Sequence, residues 1–431
     1  MSQSEGIVTP SGKVVSNDAI DRMLDLNKRV KNEMAAKEKV AEVPWYRRIF
    51  SGWTADDEKV EEETPSIFYN ANISSSGVNK PSKELTGVDP SLTGVCATIS
   101  HQIYTAESKD SFKLSDSNHV VEVLYFHDHG DLKDTVPPLV IAVSGDTLIL
   151  GWRGSQTLMD WLSDAAYAPV LSSRWSSITP NVRAHSAYSA LVESDLALYE
   201  KTIIDEIKTR NISQLILTGH SLAGGMAHVA HLAIEGQLSQ SGTAWSSLQG
   251  QLTCRTVAFS APMTILNMDA TRADTETNKF LQRVADHSCN IIFNCDAVPH
   301  AVGDIEFLDD IVDDVLPELV KGIPAPRVFT LMFGVEDKLD EAFDNFVGNN
   351  LKTTLPVLIK YHHIGSIIYY PDAKADPVLL RDSAFLPADV PEFRGYKVAL
   401  PRDNKEVGAI KQLGDAHLFF PSGLAYNVDD K

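Results

Sequence analysis

The chain has 431 residues, 43% hydrophobic and 22% charged, with a formal net charge of −20. This is the composition of a globular protein with room for one large domain and an appendage, and the charge argues against nucleic acid as a partner. Four cysteines, Cys96, Cys254, Cys289 and Cys295, have neither metal-ligand spacing nor the density of a disulfide scaffold. No secretory signal and no run of membrane-spanning length is visible, so the expectation is a soluble, cytoplasmic protein, at most peripheral to a membrane or lipid droplet.

Residues 1–84 read as an N-terminal extension, partly helical and partly disordered. Asn17 or Asp18 can cap a helix whose apolar positions are Ile20, Met23, Leu24, Val30 and Met34, ending near Pro44. An aromatic and basic patch follows, from Trp45 to Trp53. It suits a peripheral membrane contact or an arm that packs on the main domain, and the acidic run Asp56 to Glu63 works against the membrane reading. From Asp89 the composition turns globular. Val95 to Tyr104 reads as a small-residue helix, Val120 to Phe126 and Leu139 to Val143 as strands, and Ser144-Gly145-Asp146 as a turn into the strand Thr147 to Trp152. Leu191 to Ile207 has helical periodicity, and Thr256 to Phe259 and Asn290 to Phe293 are short apolar strands. The alternation predicts an α/β fold, a mostly parallel central sheet with helices on both faces, over 85–431.

Gln214 to Ile234 carries the chemistry. An apolar strand runs into Gly219-His220-Ser221-Leu222-Ala223-Gly224-Gly225 and then into a small-residue helix, the layout of a nucleophile elbow. A serine hydroxyl needs such a turn to stand clear of the backbone, and small neighbours so that strand and helix can cross closely. Ala223 departs from the usual G-x-S-x-G pattern, with the glycine one residue later. Earlier, a strand ends in Arg153-Gly154-Ser155, where glycine permits close approach and serine offers both N–H and O–H toward an oxyanion. Later, Asp296 follows the strand Asn290 to Phe293, where an α/β sheet presents catalytic groups, whereas Asp286 precedes that strand. Three histidines compete as base: His362, His363 and His417, the last in Gly414-Asp415-Ala416-His417-Leu418-Phe419-Phe420.

Arg153-Gly154-Ser155 with Asp160-Trp161, the Gly-His-Ser-Leu elbow, Asp296-Ala297-Val298-Pro299 and Ala416-His417-Leu418-Phe419-Phe420 together resemble the fungal-type, class 3 lipases, in family order. The resemblance implies an α/β-hydrolase fold with a helical lid and a triad of Ser221, Asp296 and His417. It places the oxyanion hole at Ser155 and the N–H of Leu222. Leu158, Met159, Trp161 and Leu162 fall where that family keeps its lid over the cleft. No cofactor or metal is implied; the substrate would be an acylglycerol or related glycerolipid. An sn-1 phospholipase, an acyltransferase and a non-catalytic hydrolase-fold protein are the alternatives. Two further departures are Ser260-Ala261-Pro262-Met263 after the next strand and Ala187 in His185-Ser186-Ala187-Tyr188. An insertion of about 304–356 opens with an acidic amphipathic helix, which reads as a solvated face rather than a calcium site.

Overall fold

A computed structural model describes residues 6–8, 14–16, 80–114, 120–128, 137–154, 169–267, 275–293, 296, 298–300, 361–370 and 376–384. The chain divides into two compact units, Met1–Ala71 and Asn72–Lys431. Of the first, the described part is an antiparallel hairpin of β1 (Gly6–Val8) and β2 (Val14–Ser16). The N-terminal helix, the Trp45 to Trp53 patch, Ser155, the lid residues Leu158, Met159, Trp161 and Leu162, the 304–356 insertion and His417 lie outside the described residues.

The second unit runs in order through α1 (Lys83–Thr86), α2 (Pro90–Gln102), β3 (Glu122–His127), β4 (Leu139–Ser144), β5 (Thr147–Trp152), β6 (Pro169–Val170) and β7 (Val182–His185). It continues with α3 (Ser186–Arg210), β8 (Gln214–His220), α4 (Leu222–Ser239), β9 (Thr253–Phe259), β10 (Ile265–Asn267), α5 (Thr275–Asp286), β11 (Ser288–Phe293), β12 (Gly365–Tyr370) and β13 (Val378–Ala384). Eight of these strands form one sheet in the order β3-β4-β5-β8-β9-β11-β12-β13. The five from β5 to β12 are parallel, and antiparallel partners close both edges. A small antiparallel sheet, β10-β7-β6, lies apart from it.

Parallel strands are joined by crossovers, which put helices over both faces and bury the strands completely. The parallel strand β5 is accordingly buried at every position, and so is its antiparallel neighbour β4, whose Leu139 to Val143 are all apolar. Leu148, Leu150 and Trp152 of β5 pack in one core layer with residues of α3, α4 and α5. Ile149 faces the other layer, against Val95, Cys96 and Ile99 of α2. Asp89 caps α2, accepting from the Ser91 N–H at 2.9 Å, and Pro90 at the first helical position loses no hydrogen bond. The predicted architecture, a mostly parallel sheet between helical layers, is the one observed; α3 extends past the Leu191 to Ile207 periodicity at both ends, whereas α2 starts before Val95 and ends before Tyr104.

Two buried titratable groups give this core an opposed response to pH. His185, stacked on Tyr188 with ring centroids 4.5 Å apart, has its pKa pushed down to about 4 by burial. The unfolded chain therefore takes up that proton first, so the His185 contribution is whole above about pH 6.5 and falls away as pH drops toward 4. Asp195 on α3 is buried too, which pushes its carboxyl up to about 7. Here the folded state takes the proton first, so its contribution improves as pH drops through the same window. The two partly cancel in the intact protein and separate in variants. Between pH 6.5 and 5, His185→Phe is expected to lose about 2 kcal/mol less stability than the unsubstituted chain, from roughly 1.4 kcal/mol per pH unit. Urea titrations at the two pH values check this; equal losses would mean that His185 titrates normally.

Candidate active site

The turn from β8 into α4 puts Ser221 in a conformation that few side chains accept. Its φ is +61° and its ψ −130°, one of only three non-glycine residues with positive φ among those described. Such strain persists only where the surroundings enforce it, and it concentrates at functional sites. Here the enforcement is explicit. The Ser221 N–H donates to the Phe259 carbonyl of β9 at 2.9 Å, while the Ser221 carbonyl accepts from Gly224 N–H at 2.9 Å and Gly225 N–H at 3.2 Å. The serine is thus pinned to the neighbouring strand on one side and to the first turn of α4 on the other. The leading N–H groups of a helix have no carbonyl partner within it, so the Leu222 end of α4 presents donors beside Ser221.

The glycines around it are dictated by close approach. A Cβ on Gly219 would stand 2.5 Å from the Ala223 carbonyl carbon and 2.6 Å from its Cβ, so strand and helix cross in contact. That explains how Ala223 is accommodated: the glycine needed for the crossing is Gly219 itself. Gly224 meets a different constraint, since a Cβ there would lie 2.7 Å from the Ala261 Cβ.

Gly154, two residues past the end of β5, reaches the elbow. A Cβ there would run into the Tyr104 hydroxyl and the His220 carbonyl, and would sit 3.3 Å from Ser221 Cβ. The β5–β8 register, with Trp152 opposite Gly219, delivers the Arg153-Gly154 backbone to the nucleophile. Behind the serine, the Tyr104 hydroxyl is 3.1 Å from His220 Nδ1.

Asp296 is fully buried just past β11, at the same edge of the sheet as Ser221 and two strands away across β9. Its N–H donates to the Phe293 carbonyl at 2.9 Å, and its Oδ1 accepts from the Val298 N–H at 3.0 Å, so the turn fixes one carboxylate oxygen. Asp286 closes α5 at the other end of β11, exposed, and accepts from Gln282 Nε2 at 2.6 Å. Geometry thus separates the two aspartates as their positions around the strand predict.

His363 is buried in a structural network. Its Nε2–H donates to the Pro299 carbonyl at 3.0 Å, and its Nδ1 accepts from Asn290 Nδ2 at 3.3 Å. The Asn290 amide in turn grips Ala261, accepting from its N–H at 3.0 Å and donating to its carbonyl at 2.9 Å. His362 Nδ1 donates to the His363 carbonyl at 2.9 Å, and its own backbone N–H bonds the Ile265 carbonyl. Asn290 thereby joins the turn after β9 to His363, and His363 joins it to the Asp296 turn. Sequence reasoning passed over Asn290 as one position of an apolar strand. Its signal was a lone amide where every neighbour is apolar, which a buried position tolerates only with partners.

Residues 149–305 match the family described as class 3 lipase. The match takes in Ser155, Ser221 and Asp296 and stops short of His417. No curated protein matches the chain. Among solved structures, similarity extends to a triacylglyceride lipase of Rhizomucor miehei, 12% identical over 81% of this chain and 99% of that one, with a TM-score of 0.44. A lipase of Rhizopus microsporus var. chinensis is 13% identical over 71% and 81% of the two chains, TM-score 0.43. Lipase II of Rhizopus niveus is 11% identical over 66% and 82%, TM-score 0.41. Likeness at this distance carries no argument about substrate or residue roles.

Proposed function

We propose that this chain, whose residues 149–305 match the class 3 lipase family, is a carboxylic-ester hydrolase that cleaves fatty-acyl esters of glycerolipids through a triad of Ser221, Asp296 and His417. The observation that carries this reading is the strained Ser221 at the apex of a β8–α4 turn, with the Gly154 backbone against it. His417 takes the proton from Ser221 Oγ as it attacks the ester carbonyl, and Asp296 holds the imidazole and its charge. The oxyanion is held by the Leu222 N–H and by Ser155. Collapse expels the alcohol, which His417 protonates, and water repeats the sequence to release the fatty acid. No step calls for a metal or organic cofactor.

Support for Asp296 comes from its burial beyond β11, and support for His417 from the occupation of both His363 ring nitrogens by Pro299 and Asn290. Leu158, Met159, Trp161 and Leu162 would form the apolar underside of a lid, matching a substrate with acyl chains. Among the described residues no helix is long and apolar enough to cross a membrane. The lipid would then be met at a droplet or membrane surface from outside, with the Trp45 to Trp53 patch as a peripheral contact.

The reading is tested with a panel of triacylglycerol, diacylglycerol, monoacylglycerol and diacyl phospholipid, assayed for released fatty acid with the unsubstituted chain and Ser221→Ala in parallel. Serine-dependent release from one glycerolipid class is the expected result. Acyl transfer to an added alcohol in place of release would make the protein an acyltransferase, and inertness throughout would leave the hydrolase fold without its chemistry. Ser155→Ala is a finer probe. It should reduce kcat by roughly 10² to 10³ with KM nearly unchanged, as loss of an oxyanion donor does. A rise in KM alone would make Ser155 a binding residue.

A further inference from the structure

We infer that Asp195 is a positioning residue for the oxyanion side of this site, acting through the indole of Trp152; the inference rests on the serine-hydrolase reading of Ser221. Trp152 is the last residue of β5, opposite Gly219 in the register with β8 and opposite Leu139 in the register with β4. Two residues later, Gly154 lies against the His220 carbonyl and Ser221 Cβ. Whatever fixes Trp152 therefore fixes where the Arg153-Gly154 backbone leaves the sheet, and hence how it faces the nucleophile.

Asp195 does the fixing. The Trp152 Nε1–H donates to Asp195 Oδ2 at 2.8 Å, with both side chains buried at 1% exposure. Asp195 lies on the stripe of α3 that carries Val192 and Leu196 into the core, where an apolar residue would cost nothing to bury. A carboxyl there is expensive, and burial pushes it up to about 7. Trp152 does need an acceptor, but the other buried tryptophans show that the fold has alternatives. Trp175 donates to a backbone carbonyl, that of Val182, at 3.0 Å, and Trp245 donates to the partly exposed Glu200 at 2.6 Å. Among the described tryptophans, only at Trp152 does a fully buried carboxyl meet the ring, at the strand end adjoining Ser221. Position within a site of this kind has leverage, since displacements of about 1 Å at the reacting groups cost up to roughly 10²-fold in rate.

The experiment compares Trp152→Phe, Asp195→Leu, their double variant and Asp195→Asn, measuring kcat and KM on a short-chain p-nitrophenyl ester and stability by urea unfolding. Each of the first two should lower kcat roughly tenfold with KM within about twofold. Asp195→Asn keeps an acceptor for the indole and should recover most of that kcat. In the double variant both polar partners are gone, so stability should return toward that of the unsubstituted chain, yet kcat should stay as low as in the single variants. Recovery of kcat together with stability in the double variant would reduce the pair to core packing, as would Asp195→Asn being as slow as Asp195→Leu. Labelling of the unsubstituted chain by a fluorophosphonate separates the two levels. A labelled, active chain with a fully active double variant overturns only the role of Asp195, whereas an unlabelled, inert chain overturns the serine reading and this inference with it.

Discussion

Ser221→Ala is expected to abolish fluorophosphonate labelling and to lower ester hydrolysis by roughly 10⁴ to 10⁶, the usual loss when a triad serine is removed. The expectation comes from backbone geometry more than from sequence pattern. A residue at φ +61° on a strand-to-helix turn holds its side chain away from both elements, and backbone hydrogen bonds to Phe259, Gly224 and Gly225 prevent relaxation. Alanine fits the same conformation with no added bulk, so the variant should fold and its loss should be chemical. Stability can even rise slightly, because the environment is arranged for a hydroxyl that does work rather than for packing. Retained labelling in folded Ser221→Ala protein would falsify the assignment of the nucleophile.

The sheet was legible because parallel strands buried on both faces must be apolar throughout. Leu148 to Leu150 of β5 and Leu215 to Leu217 of β8 satisfy that directly, and Leu139 to Val143 of the antiparallel β4 is apolar and buried in the same way. The elbow was legible for a related reason: the crossing of β8 and α4 leaves no room for side chains, so small residues accumulate in a short stretch. The Ala223 departure looked like a weakening of the motif, and only the contact between Gly219 and Ala223 explains why it is not. Residues whose role depends on a partner distant in sequence were not legible. Asn290 reads as a polar interruption of a strand, and its partners Ala261 and His363 are 29 and 73 residues away. Asp195 reads as one more charge on an amphipathic helix, until α3 turns it toward Trp152, 43 residues earlier. In both cases the sequence signal was a polar side chain on an apolar stripe. Its cost predicts that a partner exists, but not which one.

His417→Ala should match Ser221→Ala in severity, while His363→Ala should fold less stably and lose no more than a few-fold in rate per folded molecule. The contrast follows from what each nitrogen of His363 already does. With Nε2–H bonded to Pro299 and Nδ1 accepting from Asn290, taking a proton at Nδ1 would set two donors against each other inside the core. Removing the ring leaves the Asn290 amide and the Pro299 carbonyl short of one partner each, which costs about 1–3 kcal/mol for each group left unsatisfied. Some of that cost reaches the site, because Pro299 belongs to the turn that orients Asp296, so a few-fold fall in kcat is compatible with a structural role. A base is different: without it Ser221 keeps its proton, and no repacking compensates. Activity per folded molecule, measured beside urea unfolding for both variants, distinguishes the two. A folded but inert His363→Ala beside an active His417→Ala would move the base to His363 and require the network around Asn290 to rearrange when substrate binds.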